Sequence, residues 1–119
     1  MQDRFKFRGL AKNNEWCYGS LLWYAGEPQI WEQDGKNYIV KPETVGQCTG
    51  LKDKNGKLIY EGDIVSYSCL PGYLDIYACT FNHGSFLIGG LLISNTHLKS
   101  EVIGNIYKNP ELLEVENSR

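Results

Sequence analysis

The run Pro42-Glu43-Thr44-Val45-Gly46-Gln47-Cys48-Thr49-Gly50-Leu51-Lys52-Asp53-Lys54-Asn55-Gly56-Lys57-Leu58-Ile59-Tyr60-Glu61-Gly62-Asp63-Ile64-Val65 decides the fold. Within it, Asp53-Lys54-Asn55-Gly56 reads as a chain reversal. Aspartate bonds its own backbone two residues on, asparagine tolerates positive φ, and glycine adopts positive φ with no Cβ to clash. Leu51 before the reversal and Leu58-Ile59-Tyr60 after it make it a hairpin tip. A second reversal follows at Tyr60-Glu61-Gly62-Asp63, with Gly62 where a type II turn requires positive φ. Asp63 is expected to accept backbone N–H bonds there, and Glu61 to be a turn residue. Ile64-Val65-Ser66-Tyr67 then leaves as a strand. Short strands joined by tight turns form a meander, so the expected fold is all-β.

Toward the N-terminus, Arg4-Phe5-Lys6-Phe7-Arg8 alternates strictly. A strand over residues 4–8 would put Phe5 and Phe7 on a buried face and Arg4, Lys6 and Arg8 on a solvated one. Lys12-Asn13-Asn14-Glu15 is a polar turn, and Trp16 to Tyr24 has strand composition, with Gly19 marking a bulge or a close backbone approach. Gly26-Glu27-Pro28 breaks the chain. Beyond it, Gln29-Ile30-Trp31-Glu32 and Lys36-Asn37-Tyr38-Ile39-Val40 flank Asp34-Gly35, a type I′ hairpin signal, so residues 28–41 read as an additional two-stranded ribbon.

Toward the C-terminus, Cys69-Leu70-Pro71-Gly72 is a turn into a strand from Tyr73 to Phe81, with Tyr73, Asp75, Tyr77, Cys79 and Phe81 on one face. Asn82-His83-Gly84 links it to Ser85-Phe86-Leu87-Ile88 as a hairpin. Between residues 89 and 98, glycines and polar residues interrupt Leu91-Leu92-Ile93, and periodicity fits a strand and a helical turn equally. Glu101 to Tyr107 is a closing strand, with Gly104 where strands of a barrel cross closely. Asn109-Pro110-Glu111-Leu112-Leu113 reads as N-cap, proline at N1 and a short C-terminal helical turn, and residues 114–119 are too polar to pack.

Three of these segments together resemble the YopX family of small bacteriophage- and prophage-encoded proteins: Phe5 to Arg8, Glu43 to Val65, and Val102 to Leu113. The chain departs from the family pattern at Cys48, where tyrosine is usual, and at Leu10-Ala11, where Ala-Trp is common. The resemblance implies a single domain over residues 1–119 with a small SH3-like barrel. Its core would span residues 44–107, completed by the strand at 4–8, with the ribbon at 28–41 as a variable insert. It also implies a phage or prophage origin, and it carries over no established molecular activity.

The 119 residues suffice for one modest core, with 42% apolar, 22% charged and 13% aromatic side chains. Twelve basic against fourteen acidic residues give a net charge of -2, which disfavours nucleic acid as a general partner. The start Met1-Gln2-Asp3-Arg4 lacks the apolar segment of a signal peptide, and no run reaches a membrane span. A cytoplasmic protein of the bacterial host with four unpaired cysteines, at 17, 48, 69 and 79, is the expectation.

No constellation of residues points to catalysis. Counted from Asp53 as a calcium loop, the required glycine and glutamate positions hold Leu58 and Ile64. Cys79 and His83 are the sole close soft-ligand pair, and with Cys69 and His97 they lack knuckle spacing, so no metal is expected. There is no nucleophile elbow or phosphate-binding glycine loop, and no cofactor is expected. The Arg4, Lys6 and Arg8 strip, interleaved with aromatics, suits a phosphate backbone. A solvated strand face, or an edge kept from aggregating by positive charges, is the favoured reading, because the net charge points the other way. The first expectation is a non-catalytic interaction module with a protein partner or copies of itself, using Trp31 and Tyr38 on the ribbon, with a nucleic-acid binder as the alternative and a metal- or thiol-dependent enzyme as the least favoured reading.

Overall fold

The computed structural model describes residues 3–68 and 70–113. It is built of antiparallel β-strands, and the chain divides into two compact units, Met1–Gly50 and Leu51–Arg119.

In the first unit a 3-10 turn, Asp3–Phe5, precedes β1 (Phe7–Leu10), β2 (Trp16–Tyr24), β3 (Glu27–Trp31) and β4 (Asn37–Ile39). A second 3-10 turn, Pro42–Thr44, leads to β5 (Gly46–Lys52), which carries the chain into the second unit. The strand order here is β4-β3-β2-β1-β5. The strand expected over residues 4–8 begins only at Phe7, because the Lys6 amide donates to the Asp3 carbonyl at 2.9 Å and coils the preceding residues. Phe5 is consequently 52% exposed instead of buried. After β4 the chain curls back to β1, where Val40 bridges Ala11 and the Lys41 amide donates to the Leu10 carbonyl at 2.8 Å. Cys17, Ile30 and Val40 fill the interior so formed, with Phe7, Ala11, Leu21 and Val45 packed around them.

The two-stranded ribbon expected over residues 28–41 forms as β3 and β4 and belongs to this sheet. Ala25 and Gly26, at φ 54° and 80°, form a two-residue type I′ loop that folds β3 back onto β2 from Tyr24↔Glu27 to Ser20↔Trp31. The break read at Gly26-Glu27-Pro28 is therefore a hairpin tip followed directly by a strand. Asp34-Gly35, conversely, is not type I′, since Gly35 (φ 89°) but not Asp34 has positive φ. The Gly35 amide donates to the Glu32 carbonyl and the Glu32 amide to the Lys36 carbonyl, which makes a three-residue loop with a glycine bulge. Asp34 serves it with its side chain, Oδ1 accepting the Lys36 amide at 2.9 Å. The same loop recurs at Ala11 to Glu15 around Asn14 and at Asp53 to Lys57 around Gly56.

The close approach anticipated at Gly19 is severe. A Cβ there would lie 2.0 Å from the Trp31 carbonyl oxygen.

The second unit contains β6 (Leu58–Tyr60), β7 (Asp63–Tyr67), β8 (Asp75–Asn82), β9 (Ser85–Ile88) and β10 (Leu91–Leu92). A single-turn helix α1 (Ile93–Thr96), a 3-10 turn and β11 (Ser100–Asn105) follow, so residues 89–98 hold both a strand and a helix. Five of the strands pair in the order β10-β9-β8-β7-β11. Ile59, Val65, Cys79, Ile88 and Ile93 form the core, flanked by Leu51, Tyr67, Tyr77, Phe86 and Val102. Tyr77 and Cys79 thus face inward together, as the alternation of β8 requires.

Gly104 has a different cause from the strand crossing expected of it. The β7–β11 register shifts between Val102 and Gly104, and a Cβ at 104 would meet Asn109 Oδ1 at 2.7 Å. That oxygen accepts the Asn105 amide at 3.2 Å, so the Asn109 side chain reaches back to the bulge while its carbonyl accepts the Leu112 amide and opens the helical turn. Residues 114–119 lie outside the described residues.

Two carboxylates hold the turns of the central stretch. Asp53, 3% exposed, accepts the Asn55 and Lys57 amides on Oδ1 and the Val102 amide on Oδ2, each at 2.9 Å. The Lys54 amide adds a bond to the Ser100 carbonyl at 2.9 Å, so the loop is fastened to β11. Asp63 Oδ2 accepts the Tyr60 amide at 2.7 Å across the turn where Gly62 has φ 91°, the positive φ expected of it. Gly62 itself donates to the Cys79 carbonyl and accepts from the Ile106 amide, both at 2.9 Å.

Gly62→Ala is expected to cost about 1–2 kcal/mol for a left-handed backbone. The new methyl would also meet the Tyr107 ring at 3.0 Å. Gly26→Ala, at φ 80° in open space, reports the strain alone. Urea denaturation midpoints should therefore fall in the order wild type, Gly26→Ala, Gly62→Ala.

Burial raises the Asp53 pKa, but the amides of Val102, Lys57 and Asn55 and the Lys57 charge outweigh it and hold the carboxyl below its ordinary 3.8. A depressed folded value means that ionised Asp53 stabilises the fold fully above its unfolded pKa of ~3.9, and that this contribution is lost as the pH falls through the folded value. Asp53→Asn turns one acceptor into a donor facing backbone N–H groups and is expected to cost about 1–3 kcal/mol at neutral pH. Denaturation profiles measured against pH should show the two proteins converging below about pH 4, as the wild-type carboxylate is protonated.

Candidate functional site

Strand pairing in the first unit puts large apolar side chains on one outward face. Residues opposite one another in an antiparallel pair share a face, and every second residue along a strand returns to it. The alternate residues Tyr18, Ser20, Leu22 and Tyr24 of β2 therefore share a face with Trp31 and Gln29 of β3, through Ser20↔Trp31 and Leu22↔Gln29. Asn37 and Ile39 of β4 join them, through Trp31↔Asn37 and Gln29↔Ile39. Tyr18, Leu22, Tyr24, Trp31 and Ile39 are all exposed on this face, Tyr24 to 69% and Trp31 to 41%. The opposite parity of the same strands carries Cys17, Leu21 and Ile30 into the core. This face was legible only in part from sequence. Trp31 was singled out, but the period-2 signal of Tyr18, Leu22 and Tyr24 within Trp16–Tyr24 was not.

Tyr38, the other aromatic singled out on the ribbon, stands opposite Ile30 and so points to the other side of β4 from Trp31. It is 37% exposed and lines an open cleft of about 560 Å³ with Ala11, Lys12, Asn13, Asn37 and Ile39. The structure does not unite Trp31 and Tyr38 in one patch.

Nor does it form the basic strip. Arg8, expected on a solvated face, is 5% exposed and lays its guanidinium over the Trp16 ring, 4.3 Å from the centroid. Such stacking buries the stem and sets the cation against the ring face. Lys6 lies 3.8 Å from the Asp3 carboxylate, an exposed i,i+3 pair. The Arg4 side chain lies outside the described residues. Alternation misplaced Arg8 because its burial depends on strand pairing, the register Arg8↔Tyr18 and Leu10↔Trp16 bringing Trp16 alongside it on the same face.

The cysteines offer little nucleophilic chemistry. Cys17, Cys48 and Cys79 are buried and in no disulfide, and Cys69 lies outside the described residues. Burial, then the nearby charges of Glu32 and Glu15, pushes the Cys17 thiol above its ordinary value, away from the reactive thiolate. Cys79 packs in the core of the second unit, while His83 takes φ 53° in the two-residue β8–β9 loop. His97 Nδ1 lies 2.7 Å from the Lys52 carbonyl oxygen. Among the described residues no group of three His, Cys, Asp or Glu side chains is placed to hold a metal, and no helix is long and apolar enough to cross a membrane.

Thiol titration with Ellman's reagent should find Cys17, Cys48 and Cys79 silent in the native protein, with all four thiols reacting after denaturation without reductant. A shortfall in the denatured count would reveal a disulfide.

An all-β protein with an ordered apolar sheet face is the class that this geometry defines. Residues 6–114 match the family described as YopX protein, and the chain belongs to that family. Among solved structures, it is similar to protein EF1440 from Enterococcus faecalis, at 27% identity with a TM-score of 0.61. The likeness covers 91% of this chain and 96% of that one. No curated protein matches the chain.

Proposed function

We propose that this YopX protein is a non-catalytic interaction module of phage or prophage origin, working in the bacterial cytoplasm, whose first unit engages a protein partner or further copies of itself. The observation that carries this reading is the outward face of β2, β3 and β4, where Tyr18, Leu22, Tyr24, Trp31 and Ile39 stand exposed on three adjacent strands. Isolated exposed apolar residues are ordinary on a protein surface. A contiguous group containing Trp and Tyr on rigid strands is the composition of interface hot spots. Ser20, Gln29 and Asn37 lie among them and supply hydrogen-bonding groups for a mixed, wettable surface.

The alternative of nucleic-acid binding through Arg4, Lys6 and Arg8 loses its central residue, since a guanidinium stacked under Trp16 cannot meet a phosphate.

Replacing Leu22, Trp31 and Ile39 together by serine tests the proposal. All three side chains are exposed, so the circular dichroism spectrum and the urea midpoint should stay close to wild type. Self-association, read by light scattering, and recovery of partners from prophage-induced cells should fall at least tenfold, because a single hot spot is worth about 2 kcal/mol or more. Unchanged association in the folded variant would move the working surface elsewhere.

A further inference from the structure

The loop that fastens β11 also contains Asn55-Gly56, the one Asn-Gly pair in the chain. Asparagine deamidates most readily before glycine, which has no side chain to keep its nitrogen from the neighbouring carboxamide. Ring closure requires the Gly56 nitrogen to give up its proton and bond to Cγ of Asn55. The Cγ–Nδ2 bond then breaks, Nδ2 leaves as ammonia, and a succinimide remains. Water adds to either ring carbonyl, giving aspartate or isoaspartate, in which the main chain runs through the side chain.

The folded loop withholds both reacting groups. The Gly56 amide donates to the Asp53 carbonyl at 3.0 Å, so its proton is engaged. The Asn55 carboxamide donates from Nδ2 to Glu101 Oε2 at 3.2 Å, on β11 and 46 positions away. The Asn55 and Lys57 amides both lie on Asp53 Oδ1 at 2.9 Å, which fixes the backbone on either side of the dipeptide. Asn55 and Gly56 are nonetheless exposed, and nothing lies within 4 Å of the place a Gly56 Cβ would take. Water reaches the dipeptide, and the restraint on the reaction is therefore the hydrogen bonding of the loop, not burial.

The product does not suit the site its parent occupied. Aspartate at 55 sets a carboxylate against Glu101 where a carboxamide had donated, with ionised Asp53 on the other side. Lys54, exposed and 3.8 Å from Glu101 Oε1, offsets only part of that repulsion. Isoaspartate adds a main-chain methylene between two amides that share one oxygen.

We propose that Asn55 is a latent modification site: opening of the Asp53 loop releases Asn55-Gly56 to deamidation, and the product then holds the loop open. Loss of ammonia makes the step one-way. A transient opening is converted into a lasting change of charge beside β11.

The test incubates the whole chain in mildly alkaline buffer, folded or in urea. The peptide containing Asn55 is followed by mass spectrometry, with isoaspartate separated by chromatography. Deamidation at Asn55 should be at least about tenfold slower in the folded chain than in the unfolded one. Glu101→Ala removes the partner of the carboxamide at a partly exposed side chain. It should leave the urea midpoint near wild type and raise the native rate about threefold. Asp53→Asn, which weakens the whole loop, should raise that rate about tenfold. Asn55→Asp supplies the product directly and should speed hydrogen exchange at the Val102 amide, held by Asp53, about tenfold. Equal rates in folded and unfolded wild type, or a Glu101→Ala rate no different from wild type, overturn the proposal. Unchanged Val102 exchange in Asn55→Asp overturns it equally, because the product would then leave the loop closed.

Discussion

A carboxylate with both oxygens committed to backbone donors organises the second unit. Asp53 gathers the amides of Asn55 and Lys57 within its own loop and that of Val102 in β11, a residue 49 positions away. A short turn would otherwise be a surface feature of little consequence. Here it closes a long loop, and the entropy of that closure must be offset by bonds strong enough to hold it. Charge-assisted bonds to a buried carboxylate meet that need, and the Lys54 amide on the Ser100 carbonyl repeats the link one residue on. Asp63 performs a local version of the same task at the Gly62 turn, which is tied in turn to Cys79 and Ile106.

The first unit is held differently. Its interior is small and apolar, built on Cys17, Ile30 and Val40, and the sheet closes on itself through backbone contact between Val40 and Ala11. Closure by curling leaves the outer surface of β2, β3 and β4 uncovered in this chain, and the side chains placed there include Tyr18, Leu22, Tyr24 and Trp31. Stability of the monomer alone does not ask for aromatic groups on that side. A surface that is ordered by the core beneath it and apolar above it is prepared for a partner at little entropic cost, which is the physical basis for reading it as a site of association.

Where local chemistry dictates conformation, sequence and structure coincide. Gly62 at positive φ, the hairpin tip at Asp53 to Gly56, β2 over Trp16 to Tyr24 and the inward pairing of Tyr77 with Cys79 all follow from turn residues or period-2 patterns that act within a few positions. Where two local readings compete, only the pairing decides. Asp34-Gly35 and Ala25-Gly26 are both dipeptides ending in glycine, yet the second forms the type I′ loop and the first a bulged one. Gly104 looked like a barrel crossing and proved to be space for Asn109.

The all-β class, the turns of the central stretch and membership of the YopX family were determined by the sequence itself, because turn geometry and strand alternation are written into neighbouring residues. The candidate site was not, and long-range pairing is the reason. Arg8 was read as solvated from its alternation with Phe7, but its burial depends on Trp16, brought alongside through the register Leu10↔Trp16 and Arg8↔Tyr18. Trp31 and Tyr38 look equivalent on a ribbon drawn flat, yet the register Ile30↔Tyr38 sends them to opposite sides of the sheet. A shift of one residue in either pairing would exchange the faces, and no residue within a strand records which partner residue it will meet.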